Sequence, residues 1–243
     1  MRIYTPEECE QWVGYVSTYE HPLKVYKFKI DELNGQKLYM DDELADVARK
    51  CYTHDISRME VAIHKLEISY PPFSKLIDKL NIFMSPKPSL SISNACCYGD
   101  RSSIIMWART TQIPHVMTDY IIIHEIGHMV QSQFAPDAGK KEKVDIFREY
   151  LALRNAPKGI YQVYKGYDEE NNKSIYEDEE DYEVLHKRYG VIDWDMNPVE
   201  WWAEDFRYLF GVDVEPYWGM SIDPPGDEIR EFMLGLGENY GLG

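Results

Sequence analysis

Two histidines four residues apart, His124 and His128, enclose Glu125 in the pattern H-E-x-x-H. On a helix, positions i and i+4 lie one above the other, so both imidazoles can reach one metal ion. Glu125, one step round the helix, would then stand beside the open coordination position and could take a proton from water held there. The flanks, Ile121-Ile122-Ile123 and Met129-Val130, are apolar and suit a buried helix. Polar groups on such a helix cost free energy unless they find partners. Residue frequencies put a chance occurrence of this pattern in a chain of such length at about one per cent.

A catalytic zinc needs a third protein ligand, with the fourth position left to water. One class of site takes a histidine six residues past the second, with Gly between; here those positions hold Phe134 and Gln131, which excludes it. The remaining source is Asn197-Pro198-Val199-Glu200-Trp201-Trp202-Ala203-Glu204-Asp205-Phe206-Arg207. Asn197 reads as a helix cap, Pro198 as the first helical residue and Gly211 as the stop. Glu200 and Glu204 then stack on one face, bordered by Trp201, Trp202, Phe206 and Phe210. Stacked carboxylates repel each other, and apolar surroundings raise the cost. A cation reverses the sign. Glu200 is the expected metal ligand, and Glu204 the expected acceptor of the second-nitrogen proton of a bound histidine. The alternative makes Glu200 a capping-box glutamate and Glu204 a surface charge, which accounts for Glu200 but not for the pair.

His-Glu-Ile-Gly-His followed by Glu-x-x-Ala-Glu-x-Phe-Arg resembles the gluzincin zinc metallopeptidases. Within them it is most similar to the family of the anthrax lethal factor catalytic domain and the bacterial Pro-Pro endopeptidases. The likeness covers residues 119–134 and 197–210 and is only topological for the hairpin before them. It implies a zincin-like α+β fold, one zinc on His124, His128 and Glu200, Glu125 as general base and Glu204 behind the ligands. Asn197, three residues before the ligand glutamate, also matches. The family places a catalytic tyrosine seven residues before that glutamate, where this chain has Asp193. Tyr189-Gly190 resembles the family's Tyr-Gly pair, four residues further upstream, which makes Tyr189 the candidate for binding the oxyanion.

The elements that must position these groups follow from turn and cap signals. Thr5-Pro6-Glu7-Glu8 starts a helix expected to run to about Tyr19. Tyr26, Phe28 and Ile30 alternate with lysines as a half-exposed strand, and Asn34-Gly35 turns the chain. A helix is expected from Asp41 to about Leu66, with His54 and His64 as satisfied or surface histidines rather than ligands. Phe73–Leu80 reads as a short helix and Asn81–Met84 as a strand. Ser93–Cys97 and Ser103–Ala108 read as a hairpin. Its second arm, Ile104-Ile105-Met106-Trp107, reads equally as a core strand or as an edge strand that pairs with an extended peptide. The H-E-x-x-H helix is expected to be capped by Thr118 or Asp119 and closed by Pro136. A helix over Lys140–Asn155, an acidic, tyrosine-rich insertion near 165–188, and a short final helix complete the chain. One domain over 1–243 is expected, residues 1–80 mainly helical and 81–243 the catalytic core.

Composition limits the partners. The chain of 243 residues has a formal net charge of −16, and residues 168–183 supply half of it. That argues against nucleic acid or an anionic membrane surface. No run of apolar residues is long enough to span a bilayer, and Met1–Glu8 has no signal-peptide core. A cytoplasmic location is therefore expected, with export by a route lacking a signal peptide left open. Cys9, Cys51, Cys96 and Cys97 form no C-x-x-C pair and read as reduced thiols. The oligomeric state is not legible. The expected activity is hydrolysis of peptide bonds, Glu125 taking the proton of a zinc-activated water and passing it to the leaving amine. The alternative is an inactive, zincin-derived binding or structural protein, of the kind a phage or mobile element retains, in which zinc staples the fold.

Overall fold

A computed structural model of the chain describes residues 1–10, 13–17, 24–28, 52–86, 94–98, 102–109, 111–134, 141–156, 164–168, 173–176, 197–211, 220 and 222–240. It is an α+β structure built on a small mixed sheet. Four strands form that sheet: β1 (Arg2–Tyr4), β4 (Asn81–Met84), β6 (Ser103–Met106) and β5 (Ala95–Tyr98), in that spatial order. β1, β4 and β6 run parallel, and β5 runs antiparallel to β6. Two further hairpins stand apart from it, β2 (Val13–Ser17) with β3 (Lys24–Phe28), and β7 (Tyr164–Asp168) with β8 (Lys173–Tyr176).

The helices are α1 (Pro6–Glu10), α2 (Ile56–Ser69), α3 (Ser74–Ile77), α4 (His115–Phe134), α5 (Lys141–Leu153), α6 (Pro198–Phe210) and α7 (Asp227–Tyr240). α4 is the axis of the structure. Ile82, Met84, Ile104 and Met106 alternate along β4 and β6 and join Ile122, Ile126 and Met129 of α4 in one core. On the sheet's other face Phe83 stacks on Tyr4, ring centroids 4.6 Å apart. Strands buried on both faces lose the polar alternation that marks a half-exposed strand, which is why β4 and β6 read as continuous apolar runs.

Opposite the sheet, α6 lies along α4. Its own apolar residues, Trp201, Trp202, Phe206 and Phe210, are fully buried. Truncating any one of them to alanine should cost about 3–5 kcal/mol. The two helices approach closely at Gly127, where an added Cβ would sit 2.9 Å from the Ala203 Cα and 3.0 Å from its carbonyl oxygen. Only a residue without a side chain fits there. α7 closes the far side: Tyr70 donates its hydroxyl to the Met233 carbonyl at 3.0 Å. Asp205 ties α6 to α5, accepting from the Tyr150 hydroxyl at 2.7 Å and pairing with Arg154 Nε at 3.1 Å.

Several expectations change. The capping box forms as read, Glu8 N reaching Thr5 Oγ1 and Thr5 N reaching Glu8 Oε2. However, α1 stops at Glu10, and Val13–Ser17 is a strand rather than more helix. With β1 in the main sheet, the described residues among the first 28 are not mainly helical. α2 starts only at Ile56, where Asp55 caps it by accepting from Arg58 N. Tyr52, in the expected helix, instead bridges Arg109 by two backbone hydrogen bonds. α4 begins at His115 after Pro114, so Thr118 and Asp119 lie inside it and cap nothing. The final helix is 14 residues long rather than short. Part of the acidic segment forms β7 and β8; its remainder, together with Asn34-Gly35, Leu44, Val47, Ala48 and Cys51, lies outside the described residues. Among the described residues no helix is long and apolar enough to cross a membrane.

Candidate metal centre

Ile121, Ile122, Ile123 and Ile126 sink α4 into the core, so the buried polar residues on its α6-facing side need partners there. Tyr120, His124 and His128 follow one another at four-residue steps on α4 and turn toward α6. Glu200, Glu204 and Arg207 follow at steps of four and three on α6 and turn toward α4. The Asn197 side chain accepts from Val199 N at 3.0 Å and fixes the start of α6, with Pro198 next and Gly211 after its end. Glu200, at the third helical position, points to the histidines.

Three atoms converge. His124 Nε2 lies 3.2 Å from Glu200 Oε2, His128 Nε2 lies 3.3 Å from the same oxygen, and the two Nε2 atoms are 3.1 Å apart. These are the donors that one ion would need. A tetrahedral zinc with bonds of about 2.0–2.1 Å places neighbouring ligand atoms roughly 3.3 Å apart. The triangle therefore fits zinc, with the face away from the protein ligands left for water.

Behind the ligands, His124 Nδ1 donates to Glu204 Oε1 at 2.7 Å. The Tyr120 hydroxyl donates to the same oxygen at 2.6 Å. Arg207 donates to Glu204 Oε2 from Nε at 3.1 Å and from Nη2 at 2.8 Å. The guanidinium also sits over the Tyr120 ring, 4.1 Å from its centroid. Both oxygens of a fully buried carboxylate are thus occupied by donors. A carboxylate offers only lone pairs, so the proton on His124 Nδ1 is fixed there and Nε2 is the nitrogen turned to the three-atom site.

The charges respond to this packing. Burial works to lower the His124 pKa, but hydrogen bonds to Glu200 and Glu204 outweigh it and push it up to about 9. Without a metal, a proton thus takes the cation's place. Burial pushes Glu200 and Glu204 upward, and their histidine partners, joined for Glu204 by Arg207, hold both below the ordinary carboxylate value. Glu125 is buried and has its pKa raised, by burial first and by Glu200 as well, against the pull of His124 and His128.

No family model, curated protein or solved structure matches this chain. The site therefore rests on its own chemistry. Of the residues expected from sequence, His124, His128, Glu200 and Glu204 meet at one place, with Glu125 beside them. Tyr189 and Asp193 lie outside the described residues. Ile104, Ile105, Met106 and Trp107 are not a peptide-binding edge. β6 is paired on both sides, by β4 and β5, and all four side chains are buried, so no backbone group of Ile104–Met106 is free to receive a substrate strand. Among the described residues β5 and β1 are the outer strands. No motif singled out Tyr120, although its place four residues before His124 puts it on the ligand face; Arg207 stood in the family pattern without a role.

Proposed function

We propose that this chain is a zinc-dependent endopeptidase of the gluzincin type, with the zincin-like arrangement that its motifs resemble. One observation carries the proposal: His124 Nε2, His128 Nε2 and Glu200 Oε2 form a triangle of zinc-ligand size beside Glu125. When bound, zinc lowers the pKa of water to about 7 and polarises a carbonyl oxygen. The protein supplies the rest. Glu125, next to His124 on α4, accepts the proton of the attacking water and delivers it to the leaving amine. Burial raises its pKa, which makes it a stronger base toward that proton. Glu204 holds His124 in the tautomer that leaves Nε2 for the metal.

The rival, a protein that uses zinc only to staple its fold, gives no reason for Glu125. A structural site fills four positions with protein ligands and needs no base. Glu125→Gln keeps the shape and removes the base. It should bind zinc like the parent chain and lose roughly 100- to 10,000-fold of its turnover on a peptide library. A parent chain that binds zinc but cleaves nothing in such a library would favour the stapled-fold protein.

A further inference from the structure

The metal ligands account for Glu204, but not for why two more residues are spent on it. Its carboxylate is fully buried, and a buried charge of this kind either finds a counter-charge or takes up a proton. A carboxylate free to rotate would let the imidazole turn away from the metal. Arg207, 1% exposed, holds Oε2 through two nitrogens of its planar fork. Tyr120 donates to Oε1 at 2.6 Å, so that both oxygens are held. The guanidinium lying 4.1 Å above the Tyr120 ring couples the two clamps. The Tyr120 ring in turn runs nearly parallel to the His124 ring, 9° between their planes, so the same side chain borders both members of the pair it orients.

We propose that Arg207 and Tyr120 are positioning residues for the metal centre. They act through Glu204, holding its two oxygens in place, and thereby set how strongly His124 binds the ion. The inference rests on the zinc reading above and extends it one layer outward. It also explains why α4 and α6 must meet without a side chain at Gly127, since Arg207 and Tyr120 reach across the same interface.

The test is a double-mutant cycle read by zinc affinity in chelator competition, with the visible spectrum of the cobalt-substituted protein as a second readout. Tyr120→Phe removes only a hydroxyl. Arg207→Lys keeps the charge and loses the fork. Each should weaken zinc binding about 10-fold, within the 10- to 100-fold range usual for partners of metal-ligating histidines, and should shift the cobalt bands. Glu204→Gln should weaken it by as much or more. In the Glu204→Gln background, adding Tyr120→Phe or Arg207→Lys should change affinity less than twofold, because the route is already cut. A purely structural role would lower affinity equally in both backgrounds, tracking the thermal midpoint, and would overturn the inference. So would unchanged affinity and spectrum in the single variants of a zinc-binding parent. If the parent chain itself binds neither zinc nor cobalt, the metal centre fails first and takes this inference with it.

Discussion

His54 and His124 are both buried against the same helix, and their rings are driven in opposite directions. His54, 3% exposed, packs at the N-terminal end of α4 with its Nδ1 3.1 Å from the Thr118 hydroxyl. Burial, opposed by the Trp107 carbonyl and helped by the Arg109 charge, lowers its pKa to about 4. Arg58 pairs with Asp119, the residue after Thr118, at 2.7–2.9 Å. Two turns along α4, His124 suffers the same loss of water but meets Glu200 and Glu204. Desolvation does not decide the state of a buried histidine; its partners do. The His54 end is built for a neutral ring that joins α2 to α4, and the His124 end for a positive charge, supplied by a proton or a metal.

This contrast can be broken at Gly127, whose lack of a side chain lets the carboxylates of α6 reach His124. Gly127→Val should force the helices apart. Overpacking of this kind costs about 1–3 kcal/mol, and the displaced Glu200 and Glu204 should cost roughly 10- to 100-fold in zinc affinity. Thermal melting and chelator titration of the variant measure both losses. Unchanged values would mean that the approach at Ala203 is incidental.

The contrast can also be sharpened by pH. Because the folded His54 pKa lies below the unfolded value of about 6.5, the unfolded chain binds more protons in this range. Stability from neutral His54 is therefore complete above pH 6.5 and is lost as pH falls toward 4, by about 3 kcal/mol at most. Urea midpoints of the parent and His54→Gln, followed from pH 7 to pH 4.5, should converge as the pH falls. Parallel curves would show that His54 is already charged or exposed.

What could be read from sequence depended on whether the signal was local. The H-E-x-x-H helix and the Asn197–Pro198 start of α6 were legible because periodicity and caps act within one element. The pairing of α4 with α6 was reached through chemistry: two stacked glutamates in an apolar setting lack a reason without a cation. The sheet was not legible in the same way. β1 has three residues and meets β4 nearly eighty positions later, so no periodicity announces it. The capping box at Thr5 marks where α1 begins, but nothing comparable marks its end at Glu10. Ile104–Met106 was ambiguous because a central strand and an apolar edge have the same composition, and only the order of neighbours separates them. Tyr120 and Arg207 were hidden because their roles exist only once α4 and α6 are side by side.

The most direct test of the central claim is the zinc content of the purified chain beside its His128→Ala and Glu200→Ala variants, with His54→Gln as a folded reference. One zinc per chain in the parent and in His54→Gln, lost in both ligand variants, is the predicted result. Zinc retained by Glu200→Ala would contradict the three-atom site, and a parent chain that stays metal-free after reconstitution would contradict the metal centre altogether.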